Sequence, residues 1–104
     1  MKTLNELQPN WKGDLAIQEI VRIDALENYS KLLDNKGRVL VFAYTLGKYE
    51  TALQLPFLRV NRSCILNLNY VKDAGPTLSL TDGSIVNISR RRKEKVLRAL
   101  QNFK

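Results

Sequence analysis

Thr77-Leu78-Ser79-Leu80 and Ile85-Val86-Asn87-Ile88 stand on either side of Asp82-Gly83, and that arrangement commits this part of the chain to antiparallel β structure. Asp-Gly supplies the positive φ angles of a tight hairpin turn, whose twist matches that of the strands it joins. A second hairpin follows from the same logic. Tyr29 to Leu33 and Arg38 to Ala43 read as strands around the turn Asp34-Asn35-Lys36-Gly37. Upstream, Leu15, Ile17, Val21 and Ile23 recur at period two and predict a strand, although Glu19 interrupts the series.

Two helices complete the expectation. Thr45 is placed to cap a short one with Leu46, Tyr49 and Leu53 on its buried side, ended before Pro56 and weakened by Gly47. Ser89 is placed to cap a longer one, whose apolar face is Val96, Leu97, Leu100 and Phe103. Between them Phe57 to Val71 mixes strand-like residues with the breakers Asn61, Asn67 and Asn69, of which Asn67 reads as structural. The fold class is mainly β with a short internal helix and a C-terminal helix. Residues 1–13, polar and holding Pro9 and Gly13, read as a lead-in with Trp11 docking on a domain that spans residues 14–104.

With 104 residues and 44% hydrophobic side chains, one domain can bury a proper core. The absence of His removes the Ser/His/Asp and Cys/His constellations and the His-containing zinc sites, and the scattered carboxylates offer no catalytic set. An enzyme, a metal and a cofactor are therefore not expected. The single Cys64 reads as a small buried residue and fits a reducing compartment. The longest apolar run, Val39 to Tyr44, is far below the ~20 residues of a bilayer span, so a cytoplasmic location without membrane contact is expected.

Charge is divided unevenly along the chain. Residues 1–58 carry seven basic and seven acidic side chains, whereas residues 59–104 carry ten basic and three acidic ones and so the whole net charge of +7. Such asymmetry points to a polyanion. The densest stretch is Ser89-Arg90-Arg91-Arg92-Lys93-Glu94-Lys95. Arginines in the first turn of a helix oppose its macrodipole by about 0.3 to 1 kcal/mol each. They become useful when guanidinium groups and free backbone N–H groups converge on a phosphate. On this reading Arg90, Arg91, Arg92 and Lys93 are candidate nucleic-acid contacts.

The stretch Phe57-Leu58-Arg59-Val60-Asn61-Arg62-Ser63-Cys64-Ile65-Leu66-Asn67 resembles the LytTR family of bacterial DNA-binding domains. Three further blocks agree in order: Ile23-Asp24-Ala25-Leu26-Glu27-Asn28-Tyr29-Ser30, Tyr44-Thr45-Leu46, and Leu80-Thr81-Asp82-Gly83 followed by Ile88-Ser89-Arg90-Arg91. The resemblance covers about residues 15–103. It implies elongated antiparallel β-sheets whose loops enter successive major grooves of double-stranded DNA at promoter direct repeats, in a transcription regulator of a two-component system. Family DNA contacts then fall on the loop after the first strand, matched by Asn28, Ser30 and Lys31; on the Arg-Ser loop, matched by Asn61, Arg62 and Ser63; and on Arg91, with Arg90 beside it.

Arg62, Arg91, Asn61 and Ser30 are the residues expected to read bases, since arginine suits guanine O6 and N7 and asparagine suits adenine N6 and N7. Asn61 stands where the family commonly has His, and Cys64 where it has an aromatic residue. Relatives usually carry an N-terminal receiver or membrane sensor. Thirteen leading residues are too few for either, so a separate sensor or receiver partner is expected, and dimerisation on DNA is compatible with the resemblance. The alternative reading is a basic module that binds RNA or an anionic surface without sequence preference, although the few aromatics sit mostly at apolar-pattern positions rather than on a stacking platform.

Overall fold

A computed structural model describes residues 16–103 of the chain; the lead-in, Trp11 and Leu15, and the side chain of Phe103, lie outside the described residues. Eight strands among the described residues form two antiparallel sheets. The first sheet has the order β3-β2-β1-β5-β4, from β1 (Ile20–Leu26), β2 (Tyr29–Asp34), β3 (Val39–Phe42), β4 (Phe57–Asn61) and β5 (Cys64–Asn67). The second is the meander β6 (Val71–Ala74), β7 (Thr77–Leu80) and β8 (Ile85–Asn87). Helix α1 (Leu46–Ala52) joins β3 to β4, and α2 (Lys93–Phe103) closes the chain.

Alternation along the strands sends side chains to two separate cores. Ile23 and Ile65 are directly opposed across β1 and β5. They face Leu46 and Tyr49 of α1, together with Ile17, Ile20, Leu32 and Phe57. Their neighbours Cys64 and Leu66 point the other way, into a cluster of Leu78, Leu80 and Val86 from the second sheet and Val96 and Leu100 from α2. The first sheet is therefore a wall between two cores. All four residues of β5 are buried, which is why its sequence is a run rather than an alternation. Each fully buried Leu or Ile contributes about 1.5 to 3 kcal/mol.

The two expected hairpins form. Gly37 and Gly83 take the positive φ values of 82° and 91° that their turns require. The strand expected from Leu15 to Ile23 is corrected: a 3₁₀ turn occupies Ile17–Glu19 and the strand starts at Ile20. Ile17 and Ile20 share one core, and a spacing of three is that of a turn rather than a strand. The mixed stretch resolves as β4, β5, a 3₁₀ turn over Leu68–Tyr70, and β6. Asn67 caps that turn, accepting from the Asn69 N–H at 3.0 Å while its own amide donates to the Ile20 carbonyl at 2.9 Å. Neither Thr45 nor Ser89 makes the expected side-chain cap.

Asp34 organises the β2–β3 turn. Its carboxylate, though buried, accepts from the backbone N–H of Lys36 and of Arg38 and from the Arg38 guanidinium. Burial alone would push its pKa up, but the Arg38 and Lys36 donors together outweigh it and hold the carboxyl below its ordinary value. A carboxyl depressed in the folded state stabilises fully above its unfolded pKa, and that stability disappears as pH falls through the folded value. Asp34→Asn is therefore expected to cost about 1 to 2 kcal/mol near neutral pH. The difference from wild type should shrink steadily below about pH 4, as read from urea midpoints across a pH series. An equal difference at neutral and strongly acidic pH would contradict it.

Candidate nucleic-acid interface

Strand direction decides which loops meet. β1 runs to a two-residue turn, Glu27-Asn28, closed by the pair Leu26 and Tyr29. β4 runs to another two-residue turn, Arg62-Ser63, closed by the pair Asn61 and Cys64. Because β1 and β5 are antiparallel neighbours with Asp24 opposite Cys64, both turns project from one end of the first sheet. The Ala25 N–H donates to the Ser63 carbonyl at 2.9 Å and locks them side by side. Glu27 holds a positive φ of 56° at the first position of its turn.

The third segment is brought to the same end by β4. The Ser89 N–H donates to the Val60 carbonyl at 2.9 Å, and the Asn61 side-chain amide donates to the Asn87 carbonyl at 2.7 Å. These bonds place the 3₁₀ turn Arg90–Arg92, and the start of α2 at Lys93, beside the Arg62-Ser63 turn. The Ser89 hydroxyl is buried there and has no partner among the described residues. Three loops far apart in sequence thus form one basic edge.

The candidate residues differ sharply in availability. Asn28, Lys31, Arg62, Ser63, Arg90, Arg91 and Lys93 are exposed, and Arg92 is half-buried. Among the described residues Arg62, Arg90, Arg91, Arg92 and Lys93 take part in no ion pair, unlike Arg22, Arg38, Arg59 and Arg98. Unpaired guanidinium groups crowded at one edge leave charge for an external anion to neutralise.

Two of the residues expected to read bases have side chains engaged within the fold. Ser30 is fully buried, and its hydroxyl bonds the Tyr49 hydroxyl at 2.8 Å. At the second position of β2, alternation turns it inward to meet α1, so it ties sheet to helix. Asn61 is half-buried, and its amide is engaged at both ends. A base contact to adenine needs a free carbonyl and a free N–H from the same amide.

Arg59, which is not among the expected contacts, spends its guanidinium within the fold. Its Nη1 pairs with Glu50 of α1 at 2.9 Å, and its remaining donors reach the carbonyls of Asn61 at 3.3 Å and Arg62 at 2.6 Å. No local signal marks it, because a bulge between Arg59 and Asn61 leaves Arg59 opposite Ile65 and Asn61 opposite Cys64, on opposite faces of β4. The zero charge balance of the first half also hid Lys48. Its ammonium lies 3.5 Å from the Tyr44 ring centroid, near the start of α1, where β3 leads the chain towards the same end.

Beneath the edge lie groups that structure rather than bind. Arg22 and Asp24 make a two-point ion pair with both bonds at 2.8 Å. Cys64 sits behind them, and burial, reinforced by the Asp24 charge, pushes its thiol up to about 12. Such a thiol stays protonated and unreactive at neutral pH. Cys64 packs in the core shared by the two sheets, in accord with the expectation of a small buried residue.

Comparison with known proteins agrees with this architecture. A LytTr DNA-binding domain from Bacillus cereus, assigned to a methyl-accepting/DNA response regulator, has a similar structure: the TM-score is 0.76 and the identity 21%, over 85% of this chain and 86% of that one. No curated protein matches the sequence. The family model for the LytTr DNA-binding domain matches residues 14–101. With nearly the whole chain matched and the fold in agreement, this chain belongs to the LytTR family of DNA-binding domains.

Proposed function

We propose that this DNA-binding domain recognises specific sequences in double-stranded DNA as part of a bacterial transcription regulator, with loops rather than a recognition helix entering successive major grooves. Arg62 and Arg91 read base edges, while Asn28, Lys31 and Ser63 flank them and Arg90, Arg92 and Lys93 neutralise phosphates. The observation that carries this reading is the convergence of the Glu27-Asn28 turn, the Arg62-Ser63 turn and the Arg90–Arg92 turn on one end, tied by backbone hydrogen bonds. Narrow two-residue turns are slim enough to reach a groove floor, and a basic edge behind them follows the backbone. Action on promoter direct repeats would place the domain in the cytoplasm.

Selection of bound duplexes from a random pool tests the proposal, and a recovered motif is the expected result. On that motif Arg62→Ala should cost about 1 to 3 kcal/mol and relax preference at one base pair, whereas Lys93→Ala should weaken binding to all duplexes alike. Equal losses on cognate and scrambled DNA for Arg62→Ala would remove Arg62 from base reading. Recovery of no motif would leave a nonspecific polyanion binder.

A further inference from the structure

Asn61 satisfies two segments at once. Its Oδ1 accepts from the Ser63 N–H at 2.8 Å and the Ser63 hydroxyl at 3.0 Å, closing an Asx turn across Arg62. Its Nδ2 donates to the Asn87 carbonyl at 2.7 Å, on the last residue of β8. The amide orientation is fixed by chemistry, since the Ser63 N–H demands an oxygen and the Asn87 carbonyl demands an N–H. Only Ile88 and Ser89 separate Asn87 from Arg90, so this one side chain spans the gap between the two arginine-bearing turns. Arg59 grips the same turn from the α1 side through the Asn61 and Arg62 carbonyls.

From this geometry we infer that Asn61, supported by Arg59, is a positioning residue for DNA recognition: it fixes the Arg62-Ser63 turn and sets its distance from the Arg90–Arg92 turn, and it reads no base itself. The inference rests on the base-reading role of Arg62 proposed above. The side chain of Asn61 acts inward, on the frame, and a different residue there changes how rigidly the neighbouring arginine is presented.

Two readouts test it, one without DNA and one with it. In the free protein, Asn61→Ala is expected to speed amide exchange at Ser63 by about tenfold or more, because that N–H loses its acceptor. Asn61→Ser should restore part of the protection through its hydroxyl, since a shorter ST turn offers an acceptor but does not reach Asn87. On a selected duplex, Asn61→Ala should weaken binding by about tenfold and relax preference at the same base pair as Arg62→Ala. In an Arg62→Ala background most of that loss should vanish, as coupling between dependent residues requires.

Unchanged exchange at Ser63 would overturn the inference. So would an undiminished loss in the Arg62→Ala background with preference lost at a separate base pair, the signature of an independent reader. If wild-type protein selects no duplex, the base-reading function fails on its own, and Ser63 exchange still decides whether Asn61 fixes the turn.

Discussion

Replacing Arg90, Arg91 and Arg92 together by Ala is expected to lower affinity for duplex DNA by on the order of a hundredfold near 0.1 M salt while leaving the fold intact. The three form a turn of their own ahead of α2, and none is held in an ion pair among the described residues. Each phosphate contact removed should reduce the slope of log affinity against log salt by about 0.9, so a loss of roughly two to three units is the diagnostic quantity. Stability should move the other way. Removing cations from the positive end of a helix relieves about 0.3 to 1 kcal/mol apiece, so the thermal midpoint should hold or rise. Binding titrations at several salt concentrations, paired with thermal melts, check both parts. An unchanged salt slope would show that the arginine turn faces away from the duplex.

Leu66→Ala carries the largest expected effect on stability, about 3 to 5 kcal/mol. Leu66 is fully buried in β5, between Arg22 of β1 and Leu58 of β4, and faces the core that the second sheet and α2 complete. With covering layers on both sides of β5 there is little room for collapse, so the cavity persists. A loss of that size is a large part of the about 5 to 15 kcal/mol typical of a small domain. Val41→Ala, on the exposed face of edge strand β3, should change stability by no more than about 0.5 kcal/mol. Urea midpoints for the two variants decide the matter, and comparable losses would mean that the first sheet is not a wall between two cores.

Local signals in the sequence account for the hairpins well, because Asp82-Gly83 and Asp34 to Gly37 carry their turn chemistry in adjacent residues. Ile17 misled because one hydrophobic residue fits both a period of two and a turn of three, and only the shared core with Ile20 separates them. At the candidate interface the legible part was charge: Arg62 and Arg90 to Lys93 stand out in the sequence. Ser30 and Asn61 were not legible. A polar residue next to a turn looks the same from sequence whether it points out to a ligand or in to Tyr49 or Asn87, since those partners lie 19 and 26 residues away. Arg59 shows the converse, a cation whose charge is spent on Glu50 and two carbonyls and is no longer available for phosphate.

The two projecting turns hang from β1 and β5, the strands most deeply enclosed by the two cores. Their backbone freedom is surrendered when the protein folds, not when it meets a duplex. If these turns meet DNA as proposed, association carries little further ordering cost for them, and the entropy of complex formation should be governed by released counterions and water. A loosened core would reintroduce that cost. Substitutions such as Leu66→Ala, far from any phosphate, would then weaken recognition by returning motion to the loops before the fold itself is lost.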